Sequence, residues 1–137
     1  MFGNRKGFSL VELMIVIVII GILAALSIPR YMRAKTKSCQ SEAKQKLKEI
    51  YQAESEFCKL NGSFTENGQL SVLETQYTFM NIGVTVDQQA RYTYSIIASQ
   101  NKFTATAHGN IDDDATVDVW EITETGILRN ITDDVMH

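Results

Sequence analysis

Asn110, Asp112, Asp114, Thr116 and Asp118 set oxygen-bearing side chains at every second residue, and Glu121 closes the run at its twelfth position. Alternating oxygens followed by a carboxylate are the chemistry of a loop that wraps Ca2+, an ion that takes about six to eight oxygen ligands. Three features depart from that pattern. Asn110 stands where such loops begin with aspartate, Ala115 stands where they turn on glycine, and the residues that follow read as strand rather than helix. The alternative is a solvated acidic turn whose charges discourage pairing at a sheet edge. Glu12 has the opposite surroundings, as the one ionisable group among the 21 consecutive residues 8–28. On insertion scales a carboxylate at the middle of a bilayer costs about 2.5–3.5 kcal/mol, so Glu12 needs a partner or a use. There is no nucleophile-and-base arrangement, phosphate loop or cofactor fingerprint. His108 and His137 have no second histidine or cysteine nearby at ligand spacing. Enzymatic activity is not expected, and no cofactor is required, Ca2+ being the one candidate.

The elements that must position these residues follow from periodicity. The apolar run around Glu12 is long enough to cross a membrane as a helix, for which about 20 residues suffice. Arg5 and Lys6 precede it, and positive charge ahead of an apolar segment holds that end in the cytoplasm. From Arg30 onward the pattern turns amphipathic: Ala43, Leu47, Ile50, Tyr51, Phe57 and Cys58 recur at helical spacing, with lysines and glutamates between them. One helix is therefore expected from about residue 8 to residue 60. Asn61-Gly62 should stop it, because both residues tolerate the left-handed conformation that ends helices. Gly21 and Pro29 weaken it. Proline deletes a backbone hydrogen bond and costs about 3 kcal/mol inside a helix, so the stretch between them is expected to kink or melt.

Beyond Gly62 the texture becomes β-rich. Residues 92–96 and 103–107 alternate around a turn at Ser99-Gln100-Asn101, and residues 117–123 and 127–131 form a second pair about Glu124-Thr125-Gly126. Residues 63–90 have no clear period, and 77–86 read as strand or loop. The expected fold is α+β: a long N-terminal helix, hydrophobic and then amphipathic, packed on a small antiparallel sheet of about four strands. The divisions fall at 1–7, 8–29, 30–61 and 62–137.

Charge is unevenly spread. Up to Asn61 there are ten Lys/Arg against five Asp/Glu; beyond it there are three against eleven. Such opposed blocks steer copies together, head against stalk, or are two independently solvated faces. Cys39 and Cys58 lie about 28 Å apart on a continuous helix. A disulfide needs alpha carbons within about 7 Å, so the two are not expected to bridge.

The segments Arg5-Lys6-Gly7, Phe8-Ser9-Leu10-Val11-Glu12-Leu13, Gly21 and Pro29-Arg30-Tyr31 resemble the N-terminus of type IV pilins and their pseudopilin relatives. More loosely, "QSEAKQKLKEIYQAESEF" and "GNIDDDATVDVW" look like the matching segments of pilin A-like type IVa major pilins. The resemblance implies that a prepilin peptidase removes residues 1–7 by cutting after Gly7, and that Phe8 is then N-methylated. It implies a subunit held in the bacterial inner membrane, drawn by an assembly platform and its ATPases into a homopolymer. That homopolymer would be an extracellular filament for adhesion and twitching or gliding motility. Loss of helix between Gly21 and Pro29 within the filament is also implied.

Cutting would leave an ammonium on Phe8, four residues from Glu12 and on the same helix face. In a dry filament core Glu12 would pair with the Phe8 amine of a neighbouring copy and fix the register between them. The alternatives are a major pseudopilin of a type II secretion system, or a membrane-tethered periplasmic binding module whose helix only anchors. Nucleic acid is not expected as a specific ligand.

Overall fold

The computed structural model describes residues 7–64, 70–72, 78–79, 82–86, 90–112 and 115–135, with 70–72 and 78–79 as backbone only. The chain divides after Ala34 into two compact units. The first consists, in its described part, of the start of helix α1, which runs Leu10–Asn61. The helix begins two residues later than its apolar run. Ser9 lies outside it, and its carbonyl accepts the first helical hydrogen bond from the Leu13 amide at 3.2 Å. The assignment continues unbroken through Gly21 and Pro29. The local melting expected between them is not found in the single chain: proline removes one hydrogen bond, and the turns on either side keep theirs.

The far end closes as its residues dictate. Gly62 takes a φ of 74°, and its amide donates to the Cys58 carbonyl at 2.8 Å. This is the left-handed cap that glycine adopts without a steric cost. Asn61 Nδ2 donates to the Phe57 carbonyl at 3.0 Å and satisfies another terminal acceptor.

In the second unit the helix is one layer and a sheet is the other. Strands β1 (Leu70–Val72), β4 (Thr93–Ala98), β5 (Phe103–Gly109), β6 (Asp118–Thr123) and β7 (Leu128–Thr132) form an antiparallel sheet in the order β1-β4-β5-β6-β7. Strands β2 (Thr78–Phe79) and β3 (Val84–Thr85) make a separate two-stranded pair. The four-strand meander expected from the sequence is thus β4 to β7. Strand β1 adds an edge beside β4, from a region whose alternation was too short to read.

Period-two burial sorts the sheet. Tyr94, Ile96 and Ala98 of β4, Phe103, Ala105 and Ala107 of β5, and Trp120 and Ile122 of β6 point inward with Ala43, Leu47 and Ile50 of the helix. Burying the larger of these side chains contributes about 1.5–3 kcal/mol each. The helix stripe is longer and more polar than an apolar count suggests: Thr36, Gln40, Ala43, Leu47, Ile50 and Glu54 are all buried, at steps of four and three. Tyr51, Phe57 and Cys58, expected in the stripe, are half-buried beside it. Cys39 and Cys58 are both free thiols.

The β6–β7 turn forms where expected. Gly126, at a φ of 74°, donates to the Thr123 carbonyl at 2.9 Å, and Tyr51 fills the space where a side chain on Gly126 would stand.

Candidate functional site

Two carboxylates organise the molecule, one at the head of the apolar helix and one under the sheet. At the helix start, the Ser9 amide donates to Glu12 Oε2 at 2.9 Å, and the Glu12 amide donates to Ser9 Oγ at 3.3 Å. Ser-x-x-Glu with these reciprocal bonds is a capping box, which satisfies two otherwise orphaned donors. Its signature stood in the sequence, overshadowed by the question of what charge Glu12 would meet. The box also fixes where the helix starts in the uncut chain. Phe8 precedes the cap and is not yet on the helix face of Glu12 in the uncut chain.

Gly7 and Phe8 are exposed, Phe8 at 79%, and lie outside the helix. Residues 1–6, with Arg5 and Lys6, fall outside the described residues. Behind the box, the large apolar side chains from Leu10 to Met32 are all exposed, and the most covered of them, Val16, still shows 42% of its surface. The helix is long and apolar enough to cross a membrane. Water alone does not cover such a surface in a stable soluble chain, so it needs lipid or other protein.

The second carboxylate is Asp118, fully buried at the start of β6. Its Oδ2 accepts from Tyr92 Oη and Trp120 Nε1, each at 2.5 Å. Its Oδ1 accepts from Gln40 Nε2 at 3.2 Å, Asn130 Nδ2 at 3.3 Å and the Asp134 amide at 3.2 Å. One side chain therefore ties together the helix, the entry to β4, strands β6 and β7, and the C-terminal segment. Two further bonds extend it: Gln40 Nε2 to Asp133 Oδ1 at 2.9 Å, and the Ile111 amide to Asp134 Oδ2 at 3.1 Å. Lys44 Nζ lies 4.3 Å from the centre of the Trp120 ring, a cation–π contact. Burial, and then the hydrogen bond to Asp118 and its negative charge, push the Tyr92 phenol well above its ordinary range. Burial and the charges of Glu42 and Glu49 do the same to Tyr94.

Gly109 makes this arrangement possible. It pairs with Asp118 across the β5–β6 ladder. A β-carbon there would meet the Arg91 carbonyl at 2.7 Å and the Tyr92 ring at 2.9 Å. The ring of Tyr92 thus lies over a bare backbone to reach the carboxylate on the next strand. Gly109→Ala is expected to lower the stability of the detergent-solubilised chain by about 1–3 kcal/mol, the usual cost of overpacking, as read by thermal unfolding.

These contacts bear on the proposed calcium loop at Asp118. Asp118 and Glu121 fall on opposite faces of β6, with Asp118 inward. Both oxygens of Asp118 are already committed to five donors. Asn110, Asp112 and Thr116 are engaged in interactions of their own, and Asp114 lies outside the described residues. Among the described residues no group of three or more His, Cys, Asp or Glu is placed to hold a metal ion. Asp118 therefore serves the protein's own donors. Alternation in the sequence could not tell an oxygen that points at an ion from one that points into a core.

A family model for the prokaryotic N-terminal methylation motif matches residues 3–28. The chain is similar to the type IV major pilin protein PilA of Myxococcus xanthus, at 39% identity over 70% of this chain and 39% of that protein. It is similar to a fimbrial protein of Neisseria meningitidis, at 31% identity over 80% of this chain and 60% of that protein. With the type IV wide pilus major component PilA4 of Thermus thermophilus it shares 31% identity over 72% of this chain and 76% of that protein. The chain spans well under half of the first relative and less than two thirds of the second.

Proposed function

The chain belongs to the type IV pilin family, and on that premise we propose that it is the structural subunit of a filament, polymerised through its N-terminal helix. The observation that carries this reading is the run of exposed apolar side chains from Leu10 to Met32, headed by Glu12. Lipid covers that run in a membrane pool, and the same run on other copies covers it in the filament core. The head, residues 62–137 with the second half of α1, is then the filament's outer surface. Its work is mechanical: adhesion, and movement by extension and withdrawal of the fibre.

Processing fits the start of the chain. The Gly7–Phe8 peptide is exposed and non-helical, which is what a peptidase needs of its substrate. Removing residues 1–7 leaves an ammonium on Phe8. The capping box survives the cut, because it uses the amide of Ser9 and not the amine of Phe8. The new positive charge stays available for the Glu12 of a neighbouring copy, and methylation of that amine keeps its charge. A prepilin peptidase, an assembly platform with ATPases and an inner-membrane pool complete the reading.

Electron microscopy of cells lacking this chain tests it. Surface fibres are expected to vanish on deletion and return on complementation. Fibres that persist without the chain would refute the proposal.

A further inference from the structure

The lysines of the helix's second half divide into two groups. Lys44 lies over Trp120, and Lys46 donates to Glu49 at 2.6 Å and to the Thr85 carbonyl at 2.9 Å, so both are held by their own chain. Lys37 and Lys48 are exposed, and neither has an ion pair or hydrogen bond among the described residues. Eleven residues apart, they fall close to the same helix face. On that face Ser41, Lys44, Gln45, Lys48, Glu49 and Gln52 line an open groove of about 580 Å³.

The charge balance around the apolar run makes these lysines anomalous. Arg5 and Lys6 precede the run, whereas Arg30, Arg33, Lys35 and Lys37 follow it closely. Lysine and arginine within about 15–20 residues of a span favour the cytoplasmic side. With the leader in the cytoplasm, this chain carries its heavier cluster on the wrong flank.

The complementary surface is on the head. Residues 62–137 hold three Lys/Arg against eleven Asp/Glu. Among the described head carboxylates Asp118 and Asp134 are buried, Asp112 is engaged and Asp133 accepts from Gln40 and Val135. Glu121, on the outer face of β6, and Glu124, in the turn after it, are partly exposed and make no ion pair among the described residues.

We propose that the groove face marked by Lys37 and Lys48 docks the acidic head of a second copy through Glu121 and Glu124. This rests on the filament reading and adds to it a contact outside the apolar core. Opposed charges at such a contact both attract and set orientation, and salt weakens them as the screening length falls.

The test is Lys37→Glu/Lys48→Glu in the full chain, expressed in its own cells, with sheared filament and processed membrane pool measured separately. The expected result is a tenfold or greater fall in filament with an unchanged pool, reversed in large part by adding Glu121→Lys/Glu124→Lys. Wild-type filament from the double lysine variant overturns the proposal. So does a fall in the pool itself, which would place the lysines in membrane insertion, and so does a loss that the head reversal does not recover. If the filament reading itself is wrong, fibres persist when the whole chain is deleted, a result the lysine variants cannot mimic.

Discussion

Cells carrying Glu12→Gln are expected to hold a normal pool of processed subunit and at most about a hundredth of the wild-type surface filament. Glutamine keeps the shape of the capping box, since its amide oxygen still accepts from the Ser9 amide, and it removes only the charge. In a filament core the Phe8 ammonium of a neighbour would then be buried without its partner. Breaking a buried ion pair from one side costs about 3–5 kcal/mol, and about 1.4 kcal/mol is tenfold in an equilibrium. The effect recurs at every subunit added. Ser9→Ala is the discriminating control, because it removes one half of the box and leaves the charge. Loss of the serine cap costs about 1 kcal/mol, and filament should be only modestly reduced. Equal losses from the two variants would mean that Glu12 serves the helix start alone. Normal filament from Glu12→Gln would end the pairing account.

Asp118→Ala should cost the head on the order of 4 kcal/mol in chemical or thermal unfolding of the detergent-solubilised chain. The change removes the acceptor of five donors, Tyr92 Oη, Trp120 Nε1, Gln40 Nε2, Asn130 Nδ2 and the Asp134 amide, of which Gln40 Nε2 keeps its bond to Asp133. Hydrogen bonds to a charged group contribute about 1.5–3 kcal/mol each, and a buried donor left unmet loses its hydration as well. Relaxation and entering water recover part of this, so the sum is smaller than five separate losses. Domains are stable by about 5–15 kcal/mol, so the variant would sit near the edge of folding. Asp118→Asn should fall between, with one oxygen kept and one replaced by a donor that faces two others. Glu121→Ala, on the other face of the same strand, should shift stability by no more than about 0.5 kcal/mol. A small effect at Asp118 with an equal effect at Glu121 would show that the carboxylate is not the tie described above.

The two sites differ in how far the sequence disclosed them. The helix was legible from end to end, because apolar spacing and Asn61-Gly62 are local signals. Strands β4 to β7, and the β4–β5 and β6–β7 turns, followed from alternation and turn chemistry. Strand β1 did not, since three residues cannot display a period and their pairing with β4 is long-range. Glu12 declared itself by contrast with its neighbours, and Ser9-x-x-Glu12 was readable as a capping box. Asp118's place in the core is not legible locally, because its partners Gln40, Tyr92 and Asn130 lie 78, 26 and 12 residues away. Gln40 is polar and so adds nothing to an apolar period, although it sits one step before Ala43 in the buried stripe. Apolar counting finds where a core is and cannot find the polar fastening at its end.

That fastening has a consequence for how the head comes apart. The C-terminal segment is held by hydrogen bonds through Asp118, Asp133 and Asp134, and the two cysteines lie elsewhere as free thiols. Its closure needs no oxidant to form and is indifferent to reductant. Hydrogen bonds of this kind re-form without chemistry once water has left, as a disulfide does not.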